Sequence, residues 1–116
     1  MTSLRIAALA ACALAASGCS TLRNDAPRGS ELVDHQVRME NANGVVSTLS
    51  FDDDGSVTAR FGNNSVTGRW QVRGEELCFW WGNAARECWP YPSRFERGRT
   101  RNLTSDRGNR VSVTLL

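Results

Sequence analysis

Residues 77–91 read LCFWWGNAARECWPY and combine two cysteines with five aromatic side chains. Cys78 and Cys88 lie on either side of Gly82-Asn83, a pair typical of a hairpin turn. A direct disulfide across such a hairpin fixes its register, because facing residues then have numbers that sum to 166. The face opposite to the disulfide, which can line a core together with Trp70, then carries Leu77, Phe79, Trp81, Trp89 and Tyr91.

The rest of residues 31–116 alternates apolar and polar positions with a period of two, and turn residues interrupt the pattern every eight to ten positions. No segment has a convincing helical period. We therefore predict an all-β domain, a small antiparallel up-and-down barrel or sandwich of seven to eight short strands. The first strand is expected to begin near Val33, and Asn43-Gly44 is expected to form a type I′ hairpin turn. Strands this short predict an interior filled by side chains, not a ligand-holding calyx.

The predicted register gives Trp80 and Arg86 a position facing each other on the side of the disulfide. They could form a surface that binds a sugar ring or a partner protein, or a cross-strand cation–π pair that shields the disulfide. The cation–π pair is the favoured interpretation, because such pairs are more common than binding surfaces built from one aromatic residue and one arginine. Residues 86–110 also hold seven arginines against three acidic residues. A possible binding face therefore comprises Trp80, Arg86, Arg94, Arg97, Arg99 and Arg101.

Other polar residues give weaker indications. Glu87 falls on the apolar face of the hairpin, which predicts a position at the barrel rim, an inward arginine partner or a bulge that shifts the register. His35, the single histidine, is expected to be a hydrogen-bonded interior or rim residue. The consecutive acids Asp52, Asp53 and Asp54 lack the alternate spacing of a calcium loop and fit an Asp-Gly hairpin. We expect no metal site, no cofactor and no catalytic residues, since no nucleophile–base pair or phosphate loop is recognisable.

Charge excludes one class of partner. All 14 basic residues are arginine, and they face 12 acidic residues. Without residues 1–18, which include Arg5, 13 arginines remain and the net charge is +1. Binding to nucleic acid through a strongly basic surface is therefore not expected.

The N-terminus predicts export. Arg5 precedes an apolar run over residues 6–15, and Ala16-Ser17-Gly18-Cys19 follows. The run is too short for a spanning helix but matches a cleaved signal peptide. The tetrapeptide resembles the lipobox of bacterial lipoproteins, although Leu14 lies upstream of the favoured position three before the cysteine. The resemblance implies lipidation of Cys19, removal of residues 1–18 and, because Ser20 follows, an outer-membrane anchor facing the periplasm.

Two domain-level expectations accompany this resemblance. Residues 19–30 are poor in apolar side chains and are predicted to be a flexible tether to the β domain over residues 31–116. Ordinary signal-peptidase cleavage after a small-x-small site is the alternative, and it would give a soluble secreted protein. Both the anchored and the secreted protein would be in an oxidising environment, where Cys78 and Cys88 are expected to form a disulfide.

The sequence thus predicts a non-enzymatic lipoprotein of the bacterial cell envelope that is anchored in the lipid bilayer and binds an envelope protein or glycan. The plan of lipobox, tether, disulfide and small barrel resembles periplasmic inhibitors of lysozyme and of metalloproteases. This resemblance covers architecture alone and implies inhibition as an alternative function. A lipocalin-like ligand carrier is a second alternative, which would require an apolar cavity.

Overall fold

The computed structural model describes residues 26–116, so the predicted signal peptide and Cys19 lie outside the described residues. The described part forms eight strands and one short 3₁₀ helix at Ser30–Leu32. The strands are β1 Gln36–Asn41, β2 Val46–Phe51, β3 Ser56–Phe61, β4 Asn64–Arg73, β5 Glu76–Trp81, β6 Glu87–Pro90, β7 Thr100–Thr104 and β8 Arg110–Leu115. The predicted all-β class and strand number are confirmed. No helix in the described part is long and apolar enough to cross a membrane.

All eight strands belong to one antiparallel sheet with the order β6-β5-β4-β3-β2-β1-β8-β7. This is an up-and-down meander whose two ends in sequence meet between β1 and β8. The unpaired edges are β6 and β7, and the turn after β7 joins them. The Asp106 N–H donates to the Cys88 carbonyl oxygen at 2.9 Å, and the Cys88 N–H donates to Asp106 Oδ1 at 2.8 Å. These bonds satisfy backbone groups that an open sheet would expose, which gives a nearly closed barrel.

Alternation along the strands places one apolar face of each strand in the interior. On β2, Leu49 and Phe51 are buried, and on β8 the buried residues are Val111, Val113 and Leu115. The 3₁₀ helix adds Leu32, which is fully buried. Each large side chain removed from water stabilises the fold by about 1.5–3 kcal/mol. These buried side chains fill the interior of the barrel along most of its length, as the short strands predict.

The β5–β6 hairpin has the predicted register. Cys78 pairs with Cys88 and forms the disulfide, and Leu77 pairs with Trp89. On the interior face, Leu77, Phe79, Trp89 and Tyr91 are buried, and Trp70 and Trp81 pack against this core. Trp81 lies against Gly68 on β4, where a Cβ atom would come within 2.8 Å of the indole and 2.4 Å of the Trp80 carbonyl oxygen. Gly68 is therefore required by the close approach of β5.

Two local predictions were wrong. The first strand begins at Gln36, not near Val33, because residues 30–32 form the 3₁₀ helix and Val33 makes an isolated bridge to Phe51. The β1–β2 connection is not a type I′ turn, since Gly44 has a positive φ of 84° and Asn43 does not. The Asn41 side chain instead accepts hydrogen bonds from the N–H groups of Asn43 and Val45. The turn is therefore held by hydrogen bonds to the Asn41 side chain, and Asn43 lacks the positive φ that a type I′ turn requires.

The two ends of the barrel differ. We define the open end as the turns over 42–45, 62–63, 82–86 and 105–109, and the closed end as the opposite one. At the closed end, the connection over residues 91–99 and the segment over residues 26–35 cover the interior. Tyr91 and Phe95 are buried there, with ring centroids 5.5 Å apart. Part of the predicted tether joins this cover, because Gly29 is buried and its N–H donates to Tyr91 Oη at 2.9 Å.

Candidate functional site

The six residues of the predicted binding face do not share one surface. Trp80 is half-buried on the outer wall of β5, and Arg86 is exposed in the open-end turn before β6. Strand pairing ends at Phe79 and Glu87, so Trp80 and Arg86 are not cross-strand partners in the sheet. Within residues 26–116, Trp80 forms no cation–π pair; the two pairs present join Arg28 to Tyr91 and Arg101 to Phe95.

The other four arginines lie at or near the closed end and divide into two kinds. Arg94 donates to the carbonyl oxygens of Ala26 and Pro27 at 2.5 and 3.0 Å, and it lies 3.5 Å from the Glu31 carboxylate. Arg101 donates to the Ser93 carbonyl oxygen at 2.8 Å and lies over the Phe95 ring. These two side chains hold the closed-end cover in place.

Arg97 and Arg99 are both exposed. Arg99 forms an exposed ion pair with Glu96 at 3.4 Å, and the backbone of Arg97 bridges to Leu115. An exposed ion pair of this kind contributes little to stability. These two arginines are therefore the members of the arginine-rich stretch that are most free to meet a partner.

A pocket of about 330 Å³ lies at the open end and is the strongest candidate site. Its volume is at the lower end of the range for small-molecule sites, about 300–1,000 Å³. Side chains of β1, β5, β6 and β8 and of two open-end turns surround it. Apolar lining residues are Met39, Ala42, Phe79, Trp81, Trp89 and Val111, and polar ones are Asn41, Asn43, Glu87, Asn109 and Arg110.

Three aromatic rings form the inner wall of this pocket. Phe79 and Trp81 are stacked with ring centroids 5.7 Å apart and planes 10° from parallel. Trp89 contacts Phe79 edge to face at 4.7 Å. Phe79 and Trp89 are almost fully buried, whereas Trp81 is half-buried. Trp81 is therefore the most exposed of the three rings, and Phe79, itself in contact with Trp89, packs against it.

Glu87 is the only acidic residue that lines the pocket within the described part of the chain. Its Oε2 accepts hydrogen bonds from Ser105 Oγ at 2.5 Å and Asn109 Nδ2 at 2.6 Å. Within residues 26–116 no hydrogen bond reaches its Oε1. Of the three predicted environments for Glu87, the rim position is confirmed, since the hairpin keeps its register and the partners are a serine and an asparagine.

A second hollow, of about 450 Å³, adjoins the pocket on the outer side of the rim. The two share Asn41, Ala42, Arg110 and Val111. Most residues that line the outer hollow are polar, and its remaining lining residues are Glu40, Asn102, Leu103, Thr104 and Ser112. A continuous concave surface thus runs from the aromatic wall, over the rim, onto the outside of β7 and β8.

Residues with the chemistry of a metal ligand do not converge at the open end. In the described part of the chain, the one group of possible ligands comprises Glu76, Cys78 and Cys88. Both cysteine sulfurs are in the disulfide and so are not thiolates, the form that binds metals. His35 is half-buried, and its Nδ1–H donates to the Val33 carbonyl oxygen at 2.9 Å.

Comparison of this chain with protein-family models, with curated proteins and with solved structures gives no match.

Sequence reasoning placed the three aromatic rings in the core and Glu87 at the rim, and it included Arg110 in the arginine-rich stretch. It did not assign these residues to one site, and it missed Asn41 and Asn109. The missed residues lie in or next to open-end turns, where polar side chains are expected for turn formation alone. One signal was available in the sequence. In an up-and-down sheet, the turns that follow β1 and β7 lie at the same end of the barrel as the beginning of β6.

Proposed function

We propose that this protein is a non-enzymatic binding module of the bacterial cell envelope, anchored in the membrane through Cys19, with its ligand site in the open-end pocket. The observation that carries the proposal is the combination in one pocket of an accessible Trp81 ring and a Glu87 carboxylate oxygen without a partner among the described residues. An unshared acceptor beside an apolar wall is typical of binding sites, because a ligand supplies the missing hydrogen bond.

The composition of the pocket supports binding over catalysis. Among the described residues, those that line it include no Ser, Thr, Cys, His or Lys side chain. A single carboxylate can act as a general base, but catalytic sites commonly combine it with such a group or with a second carboxylate. Glu87 has neither, and one of its oxygens already serves to join β6 to the turn after β7.

The position of the pocket supports an anchored protein that faces away from its membrane. The chain enters the barrel at the closed end, where residues 26–29 contact the connection over residues 91–99. The pocket lies at the opposite end, one six-residue strand away, which is about 20 Å. A lipid on Cys19 would hold the closed end toward the bilayer and direct the open end toward the envelope.

The experiment that tests this proposal is photo-crosslinking in living cells. A photoreactive amino acid replaces Asn43 at the open end or, as a matched control in a closed-end turn, Glu75. We expect a discrete adduct from position 43 that disappears when Arg110→Gln is added, and none from position 75. An adduct at position 43 that is insensitive to Arg110→Gln would contradict the proposal. So would loss of the adduct only in the Trp80→Ala/Arg86→Ala variant, which would move the site to the outer wall.

A further inference from the structure

We propose that the open-end pocket and the adjoining outer hollow together bind a neutral oligosaccharide chain. This inference rests on the proposed function, because it assigns a ligand class to the same site. Three properties of the lining residues support it: opposed charges, several amides and one accessible aromatic face.

The charges disfavour a simple cation or anion. Glu87 and Arg110 line the same pocket and have opposite charges. The guanidinium of Arg110 repels a cation, and the Glu87 carboxylate repels an anion, so neither ion gains from both groups. A neutral molecule with hydroxyl groups interacts favourably with both, since a hydroxyl donates to Glu87 Oε1 and accepts from Arg110.

The amides disfavour a purely apolar ligand. Asn41, Asn43 and Asn109 line the pocket beside Glu87, and covering them with hydrocarbon would bury the polar atoms that have no partner among the described residues, such as Glu87 Oε1. The Asn109 amide already donates to Glu87, but its carbonyl oxygen remains an acceptor. A ligand with closely spaced hydroxyl groups offers both donors and acceptors to these side chains.

The aromatic wall fits the apolar face of a sugar ring. The C–H bonds on one face of a pyranose have a partial positive charge, and the face of an indole ring is negative. Trp81 is the partly exposed ring that lines the pocket, and its stacking on Phe79 limits its movement. A fixed platform reduces the entropy lost when a ligand stacks on it.

The adjoining hollow extends the site from one ring to a chain. It shares Asn41 and Arg110 with the pocket and continues along Glu40, Asn102 and Ser112, which are cross-strand neighbours on β1, β7 and β8. Asn102 and Ser112 are polar and hydrogen-bonded to each other at 2.7 Å. A polar path that leads away from one aromatic platform suits successive sugar units better than a compact ligand.

The test is an NMR titration of the full chain in micelles of a detergent that has no sugar headgroup. The probes are the β-1,4-linked hexasaccharides of glucose and of N-acetylglucosamine, and the readout is the indole N–H signals. We expect the Trp81 signal to shift and saturate while that of Trp80, on the outer wall, stays constant. Arg110→Gln should weaken the affinity about 10-fold or more, as loss of a charged hydrogen-bond donor does. The matched control Arg60→Gln, an exposed arginine on β3, should leave it unchanged.

Failures of the two proposals are distinguishable. If neither hexasaccharide shifts Trp81 while the crosslinked adduct still depends on Arg110, the oligosaccharide class is wrong and the binding function stands. A neutral Gly-Ser hexapeptide that shifts Trp81 as strongly as the saccharides also overturns the oligosaccharide class. If titration and crosslinking both fail, both proposals are wrong. A shift with the N-acetylglucosamine hexamer alone supports the inference and restricts it to sugars that bear an acetamido group.

Discussion

At the scale of single residues, the hydroxyl of Tyr91 joins the segments that cover the closed end. Its hydroxyl donates to Glu31 Oε2 at 2.6 Å and accepts from the Gly29 N–H at 2.9 Å. Burial, followed by the hydrogen bond to Glu31, raises the pKa of Tyr91 to about 12 from its ordinary 10. Ionised Tyr91 is therefore strongly disfavoured in the folded protein.

Alkaline pH should consequently unfold the protein more readily. In the unfolded chain Tyr91 loses its proton near pH 10, whereas in the folded protein it keeps the proton until about pH 12. The stabilising contribution is complete below pH 10 and is lost as the pH rises toward 12. We expect the free energy of unfolding to be about 1 kcal/mol lower at pH 11 than at pH 9, measured by urea denaturation. The chain has one tyrosine and no lysine, so absorbance at 295 nm assigns the transition.

The control is Tyr91→Phe. It removes the titrating hydroxyl and leaves Glu31 and Gly29 each without one hydrogen bond, which should cost about 1–3 kcal/mol at pH 9. Its stability should then hardly change from pH 9 to 11. A pH dependence equal to that of the unsubstituted protein would assign the effect to another group.

Residues of the β5–β6 hairpin show what the sequence can predict at this scale. Phe79, Trp81 and Trp89 follow the period of two, and Cys78 with Cys88 fixes the register, so the aromatic wall of the candidate site was predictable. Arg110 was not, because its place in the pocket depends on how closely β8 approaches β1 and β6. That approach is set by packing between distant segments and leaves no local pattern.

At the scale of elements, the Cys78–Cys88 disulfide matters most for β6. This strand has only four residues, pairs in the sheet with β5 alone, and is joined to the turn after β7 only by the hydrogen bonds of Cys88 and Glu87. Closing a loop of this length stabilises the fold by about 2.5–3 kcal/mol in the chain-entropy model. We expect reduction to lower the thermal midpoint by 10 °C or more, about 4–8 °C per kcal/mol, as measured by circular dichroism.

The matched control is a Cys78→Ala/Cys88→Ala variant, whose melting curve should be the same with and without reductant. If reduction also destabilises this variant, then other thiol chemistry, and not the hairpin disulfide, accounts for the change. If reduction leaves the unsubstituted protein unchanged, the disulfide does not stabilise β6.

The connection over residues 91–99 offers a second test at this scale, because its arginines differ in their contacts. Arg101→Ala removes the hydrogen bonds to Ser93 and the contact with the Phe95 ring. We expect a loss of about 1–2 kcal/mol and faster hydrogen exchange in the connection. Arg97→Ala, at an exposed side chain, should stay within about 0.5 kcal/mol. Equal effects of the two substitutions would contradict the structural role of Arg101.

Elements joined by short turns were the predictable part of the fold. From β1 to β6 each strand follows the last after a few turn residues, and sequence neighbours pair in the sheet. The connection over residues 91–99 and the 3₁₀ helix were not predictable. They are held together by Arg94 and Glu31, whose partners lie on segments distant in sequence. The polar composition of residues 26–30 is also the same as that expected of a flexible tether.

At the scale of the whole molecule, the barrel has one covered end and one concave end, and the chain enters at the covered one. Six residues lie between Cys19 and Ala26, the first described residue, and the seven peptide units that join them span at most about 25 Å. If Cys19 carries the lipid, this length holds the closed end near the bilayer, while the open end is about 20 Å farther along the strands. On average the closed end is then nearer to the bilayer than the site is.

This arrangement predicts an order of distances from the membrane. A fluorophore is attached through Asp53→Cys in the closed-end turn or Asn83→Cys in an open-end turn, and both positions are exposed. With the protein reconstituted in vesicles that contain nitroxide-labelled lipids, we expect stronger quenching at position 53 than at position 83. Cys19→Ser should abolish the difference, because without the lipid the barrel has no fixed orientation. Stronger quenching at position 83 would mean that the pocket meets the bilayer, which would favour a lipid ligand over a glycan.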